Sequence, residues 1–218
     1  MRMFFCIGLI LCAFSVSSQN MVYSSVKIGG NEWMKENLSV ETFLTGDSIL
    51  KANSAEEWIA ANNEKKAAWC FYNFSEEDGK KYGKLYNWFA LSDQRGLAPK
   101  GWRLPKEADF ADFDKIYKYK AGLKLKSTTG WNSWESIDAN GAKKTNSANG
   151  DNTSGFTGLP GGCVDNNGLF FHKGINGYFW TISEKDNISA IHRALKNNEV
   201  FIFNFANKGF GYSVRCVK

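Results

Sequence analysis

The sequence predicts an α+β fold, on three observations. A helix-start signature sits near residue 54, apolar residues recur at helical spacing between residues 110 and 117, and short apolar strands crowd the last third of the chain. Helices early and strands late define the class.

The elements follow in order. Val26-Lys27-Ile28 and Glu32-Trp33-Met34 flank Gly29-Gly30-Asn31 and read as a hairpin on a glycine turn. Ser54-Ala55-Glu56-Glu57 is a capping box, with Ser at the N-cap and Glu three residues on, so a short helix is expected to about Glu64 with Trp58 and Ile59 facing inward. Trp69 to Tyr72 reads as a short strand, Glu76 to Lys81 as a charged loop, and Leu85 to Leu91 as an aromatic, helix-compatible stretch. Pro105 suits the first position of a helix, where its missing N–H costs nothing. Phe110, Phe113, Ile116 and Tyr117 then keep helical spacing, and Asp109, Asp112 and Asp114 between them read as a solvated face.

From Ser127 to Gly155 the chain turns rich in Asn, Gly, Ser and Thr, interrupted by Trp131 and Trp134. Loops of that length inside a domain are functional or disordered. Tryptophans that prefer burial mark this one as a folded excursion with no domain boundary. Beyond it, Leu169 to Phe171, Tyr178 to Ile182, Ala190 to Leu195 and Val200 to Phe205 read as strands, the last two joined across Lys196-Asn197-Asn198-Glu199, and Phe210 to Val217 as a closing strand. An antiparallel meander is the natural arrangement.

The first residues predict export. Arg2 precedes an apolar run from Met3 to Phe14, then small residues, which is the order of a signal peptide over residues 1–18 with cleavage after Ser18. The run is shorter than the roughly 20 residues that span a bilayer, so no retained membrane span is expected, and Leu11 before Cys12 argues against lipid attachment. A short segment, residues 19–25, then leads into one domain, residues 26–218. The destination is the periplasm, the cell surface or the extracellular space. A net charge of +5 with both signs interspersed does not suggest a nucleic-acid partner. Of five cysteines, Cys70, Cys163 and Cys216 remain after cleavage, an odd set with no C-x-x-C pair.

Several stretches together carry a resemblance. They are Val26-Lys27-Ile28-Gly29 with Glu32-Trp33-Met34-Lys35-Glu36-Asn37-Leu38, Tyr82-Gly83-Lys84-Leu85-Tyr86-Asn87-Trp88, and Gly96-Leu97-Ala98-Pro99-Lys100-Gly101-Trp102-Arg103-Leu104-Pro105. Leu123-Lys124-Leu125-Lys126-Ser127, Gly155-Phe156, Leu159-Pro160-Gly161-Gly162, Tyr178-Phe179-Trp180-Thr181 and Gly211-Tyr212-Ser213-Val214-Arg215-Cys216-Val217-Lys218 complete the series. In this order they resemble the Fibrobacter succinogenes major paralogous domain, a family of exported bacterial proteins, from about Val26 to Lys218. The resemblance implies a C-type-lectin-like fold, akin also to formylglycine-generating enzymes. In such folds the N- and C-terminal strands pair, helices lie on one side, and an irregular loop region carries the ligand surface. It also implies a Cys70–Cys216 disulfide, with Cys163 as the spare thiol. It carries no established activity.

The chemistry legible in the sequence is sparse. His172 and His192 both fall on expected strands and read as packed residues rather than bases, and neither H-E-x-x-H nor G-x-S-x-G occurs. Asp165-Asn166-Asn167-Gly168 and Gly150-Asp151-Asn152 offer oxygen ligands that calcium accepts, but they read first as turns, and no cofactor is expected. Trp131 and Trp134, with Asn149, Asp151 and Asn152, pair aromatic faces with hydrogen-bonding groups and form the candidate binding surface for a glycan or protein ligand. The expected function is therefore an exported, non-catalytic binding or surface-interaction module. An enzyme acting on envelope or plant polysaccharide, and a structural component of the cell envelope, are the alternatives.

Overall fold

A computed structural model describes residues 22–197 and 201–218. The expected leader at residues 1–18, the residues after it as far as residue 21, Asn198 and Glu199 of the expected strand connection, and Val200 at the start of the expected strand after it lie outside the described residues. The fold is a mixed α+β body of short helices and several small sheets.

Strands β1 (Ser25–Ile28) and β2 (Asn31–Met34) form the expected antiparallel hairpin. A small sheet follows, in which β3 (Leu50–Lys51) runs parallel to β4 (Ala68–Cys70) and β4 antiparallel to β5 (Leu85–Tyr86). Helix α1 (Ala55–Asn63) starts where the capping box places it, with the Ser54 hydroxyl accepting from the Glu57 N–H at 3.3 Å and Trp58 fully buried. The charged stretch after Tyr72 is not a loop but helix α2 (Glu76–Tyr82). Ser75 caps it, Glu76, Glu77 and Asp78 fill the first turn, and Lys80 and Lys81 the last, so each sign of charge sits at the dipole end it stabilises. Gly79 lets this helix lie flat on Phe71: a Cβ there would come within 2.3 Å of the ring.

The aromatic stretch after β5 splits, because Asn87 caps a new helix, α3 (Trp88–Ser92), through a bond from the Ala90 N–H. Past Pro105 the chain makes a 3₁₀ turn (Glu107–Phe110), helix α4 (Ala111–Tyr117) and helix α5 (Ala121–Leu125). The three aspartates between the apolar positions are tethers. Asp109 holds Arg103 through two oxygens, Asp112 accepts from the Gly30 N–H at 2.8 Å, and Asp114 joins Glu107 on the buried Arg193 guanidinium.

The polar excursion is folded around a projecting hairpin, β6 (Trp134–Ile137) and β7 (Lys143–Asn146). The main sheet has five strands: β8 (Gly161–Val164), β9 (Phe170–Lys173), β10 (Gly177–Glu184), β11 (Ser189–Leu195) and β12 (Phe201–Asn207), in the spatial order β12-β11-β10-β8-β9. Its pairs are antiparallel except β8 with β10.

The chain closes on its own beginning. Residues 211–217 form no long ladder, contrary to the expected closing strand, because they bridge a different neighbour at almost every step: Val164, Tyr86, Phe179, then Trp33 and Arg103 together. The Met34 N–H donates to the Cys216 carbonyl at 3.1 Å, and Glu32 and Lys218 exchange two backbone bonds of 2.9 Å. Arg215 is fully buried, donating to the Phe156 carbonyl and to Asn37 Oδ1 with its plane over the Phe156 ring. Burial pushes its guanidinium down to about 9.

Three aromatic clusters make the core. One gathers Trp33, Phe110, Phe113 and Phe156, another Met34, Trp69, Trp180, Tyr212 and Cys216, and a third Trp58, Tyr72, Leu85 and Cys70. The implied disulfide is therefore a correction. Cys70 and Cys216 belong to different clusters, and Cys70, Cys163 and Cys216 are all free, buried thiols. A chain of this length hides about 70% of its unfolded surface and is held by burial without a covalent link.

Candidate functional site

The structure separates the residues singled out in the excursion. Trp131 is a core residue, 5% exposed, with its indole N–H on the Ser127 hydroxyl at 3.0 Å and the Lys126 ammonium over its ring. Trp134, three residues on, opens β6 and is 42% exposed. Asn149 Oδ1 accepts the Trp131 N–H at 3.0 Å. Asp151 pairs with Lys124 and caps Thr153, and Asn152 makes two hydrogen bonds with Thr157, donating to its hydroxyl and accepting from its N–H. Asp151 ties the excursion to α5 through Lys124, Asn149 and Asn152 brace the chain on either side of it, and Trp134 is the aromatic side chain of the five that faces outward.

A second set of residues does converge. At one end of the molecule a cleft of about 270 Å³ opens between the end of α1, helix α3 and three turns of the main sheet. Each wall has a local cause. Trp58 donates its indole N–H to the Asp165 carbonyl at 2.8 Å, which fixes α1 against the β8–β9 turn. In that turn Asp165 Oδ1 accepts the N–H groups of Asn167 and Leu169, both at 2.9 Å, an Asx turn that leaves Asn166 and Asn167 at its tip. Asp186 does the same in the β10–β11 turn for Ile188 and Ser189, both at 2.8 Å, leaving Asn187 and Ile188 outward. After β12, Asn207 Oδ1 accepts the Gly209 N–H at 2.8 Å.

Gly209 is the floor. A Cβ on it would meet Asn166, Asn62 and Asn207 atoms at 3.0 to 3.2 Å, so three asparagines close around one backbone position. Asn62 donates to the Gly209 carbonyl at 2.9 Å and is braced from behind by Asn87 at 3.1 Å. Ile59, Phe89 and Ile188 supply the apolar part of the lining, and Lys65 and Lys208 its cations. Lys208 is buried, with its ammonium 4.6 Å from the Trp88 ring centre, 3.3 Å from the Asn187 carbonyl and 3.5 Å from Glu184.

The sequence showed only part of this. The Asp165-Asn166-Asn167-Gly168 turn was visible as a turn, and its carboxylate indeed serves backbone N–H groups. Among the described residues, no group of three or more His, Cys, Asp or Glu side chains is placed to hold a metal ion. Asn62, Asn187 and Asn207 had no distinguishing signal, because their meeting is purely tertiary.

The histidines sit elsewhere, in the sheet. His192 is buried among the rings of Tyr178, Trp180 and Tyr212, and burial pushes it down to about 4, so it is neutral at pH 7. His172 Nδ1 lies 2.9 Å from the Tyr178 hydroxyl. A wider groove of about 600 Å³ runs between residues 35–39 and 79–83, edged by Lys35, Glu36, Lys80 and Lys81. Its edges are solvated charges rather than converging turns.

No curated protein and no solved structure matches the chain significantly. The model of the Fibrobacter succinogenes major domain does, over residues 26–218, and the chain belongs to that family.

Proposed function

We propose that this domain is an exported, non-catalytic binding module, that its fold is C-type-lectin-like, and that its ligand sits in the asparagine-lined cleft. The observation that carries the reading is the lining itself. Asn62, Asn63, Asn166, Asn167, Asn187 and Asn207 come from four separated stretches of chain to one cleft. Amides do not titrate in water, so they suit recognition rather than proton transfer. Paired chain ends and an irregular loop-bearing end support the fold reading. The order of charge, apolar run and small residues over residues 1–18 supports export to the periplasm, surface or medium.

The test is a capture screen of envelope proteins and glycans with the wild-type chain and an Asn187→Ala, Ile188→Asp double variant. Both positions are on a turn tip, so the fold is expected to survive. Captured ligands should be lost from the variant; identical profiles would reject the cleft. N-terminal sequencing of the exported protein should begin after Ser18.

A second reading rests on one observation. Trp134 and Ile137 are 42% and 71% exposed on the same projecting hairpin, which suits a protein contact. A Trp134→Ala variant that loses a captured protein while keeping the cleft ligand would assign that role to the hairpin.

A further inference from the structure

We propose that the cleft takes a neutral carbohydrate of one or two rings, an inference that rests on the reading of the cleft as a ligand site. The argument is an account of hydrogen-bonding groups. The side-chain amides of Asn63 and Asn187 bond to no described residue. Asn207 engages only its oxygen and Asn167 only its oxygen, so both keep an NH₂ group facing no protein acceptor among the described residues. Each amide sets a donor and an acceptor side by side in one plane. Adjacent ring hydroxyls, each able to donate and accept, are the ligand groups that match this arrangement in both directions.

The apolar lining completes the match. Ile188 is 67% exposed at the turn tip, and Ile59 and Phe89 lie half-buried opposite. A pyranose carries hydroxyls at its edge and C–H groups on its face, so it satisfies amides and hydrocarbon together. The charges argue for neutrality. No carboxylate lines the cleft, which disfavours a cationic ligand, and the Lys208 ammonium is occupied by Glu184 and the Asn187 carbonyl, which leaves Lys65 as the cation at the rim. Tight phosphate sites use several N–H groups or cations aimed at one point. The size sets the upper limit, since about 270 Å³ lies just under the roughly 300 Å³ at which ligand pockets begin and leaves room for no more than a small ligand.

The experiment is a titration of the full chain, followed by the side-chain NH₂ signals in nitrogen-edited NMR. The probes are cellobiose, xylobiose and mannobiose, with digalacturonate as the acidic comparison. At least one neutral disaccharide should shift the Asn63, Asn187 and Asn207 signals. Asn187→Ala and Asn63→Ala should each weaken that binding about tenfold, the effect of one lost hydrogen bond. Neither side chain bonds to another described residue, so both variants are expected to fold, and Asn140→Ala in the β6–β7 turn, which does not line the cleft, should leave binding unchanged. The inference is overturned if no neutral disaccharide shifts these signals, if only digalacturonate does, or if the two variants bind as wild type. The two failures remain distinct. A captured non-sugar ligand lost from the same variants keeps the cleft and removes the carbohydrate; a cleft that loses nothing removes both.

Discussion

At the scale of single residues, burial fixes the protonation of several groups in the sheet. The His192 ring is pushed down to about 4 from an ordinary 6.5, and its Nδ1 has no hydrogen-bond partner among the described residues. Between those two values the unfolded chain binds a proton that the folded chain refuses. Stability must therefore fall as pH drops from 6.5 towards 4, by up to about 3 kcal/mol from this group. His192→Phe, which keeps a ring and removes the titration, should lose about 2 kcal/mol less than wild type between pH 7 and pH 4.5 in urea unfolding. Parallel losses would show that His192 is not the titrating group. The thiols follow the same physics: burial raises all three, and each is enclosed in a cluster. Native alkylation should leave Cys70, Cys163 and Cys216 unmodified, and a reductant should leave the melting temperature unchanged. A drop in melting temperature on reduction would restore the bridge.

At the scale of elements, residues alike in sequence part company. Trp131 and Trp134 sit three apart in one polar stretch, yet Trp131 fills the cluster around Phe110 and Phe156 while Trp134 lies on a hairpin whose strands are mostly exposed. Trp131→Ala should cost about 3–5 kcal/mol, and Trp134→Ala no more than about 0.5 kcal/mol. Chemical denaturation of the two variants checks the contrast, and similar losses would mean that the hairpin packs on the body. What was legible in the sequence was local. The Ser54 cap set the start of α1, and the Gly29-Gly30 turn set the first hairpin. Helix α2 was hidden because its apolar stripe is only Tyr82 and a glycine, and its evidence was charge order rather than periodicity. The cleft was illegible for a different reason. Its asparagines are ordinary turn residues until Gly209 brings α1 and the turns beside β8 and β12 within contact.

At the scale of the whole molecule, residues 211–217 are an internal strut. They are all buried, and they touch β2, β5, β8, β10 and the Arg103 segment in turn. Each sheet is small, with two, three or five strands, and two-stranded pieces are marginal alone in water. The strut is what joins three of them into one cooperative unit, since it pairs with strands of the first hairpin, the three-stranded sheet and the main sheet, and its Arg215 pins the Phe156 carbonyl from inside. Removing residues 213–218 should therefore abolish the sharp unfolding transition altogether, not merely lower it. Near-ultraviolet circular dichroism, which reports the packed tryptophans, should collapse. Excising residues 135–145 and closing the gap with a short turn should, by contrast, leave both signals close to wild type, because that hairpin carries none of the buried clusters. Hydrogen exchange should rank the same parts. The amides of Met34 and Leu38, which bond across the junction of the two chain ends, and of Val217, which bonds to the Arg103 carbonyl, should exchange among the slowest, and those of β6 and β7 among the fastest. A truncated chain that still melts cooperatively would show that the main sheet and its helices fold together without the strut, and the strut would then not be the source of cooperativity.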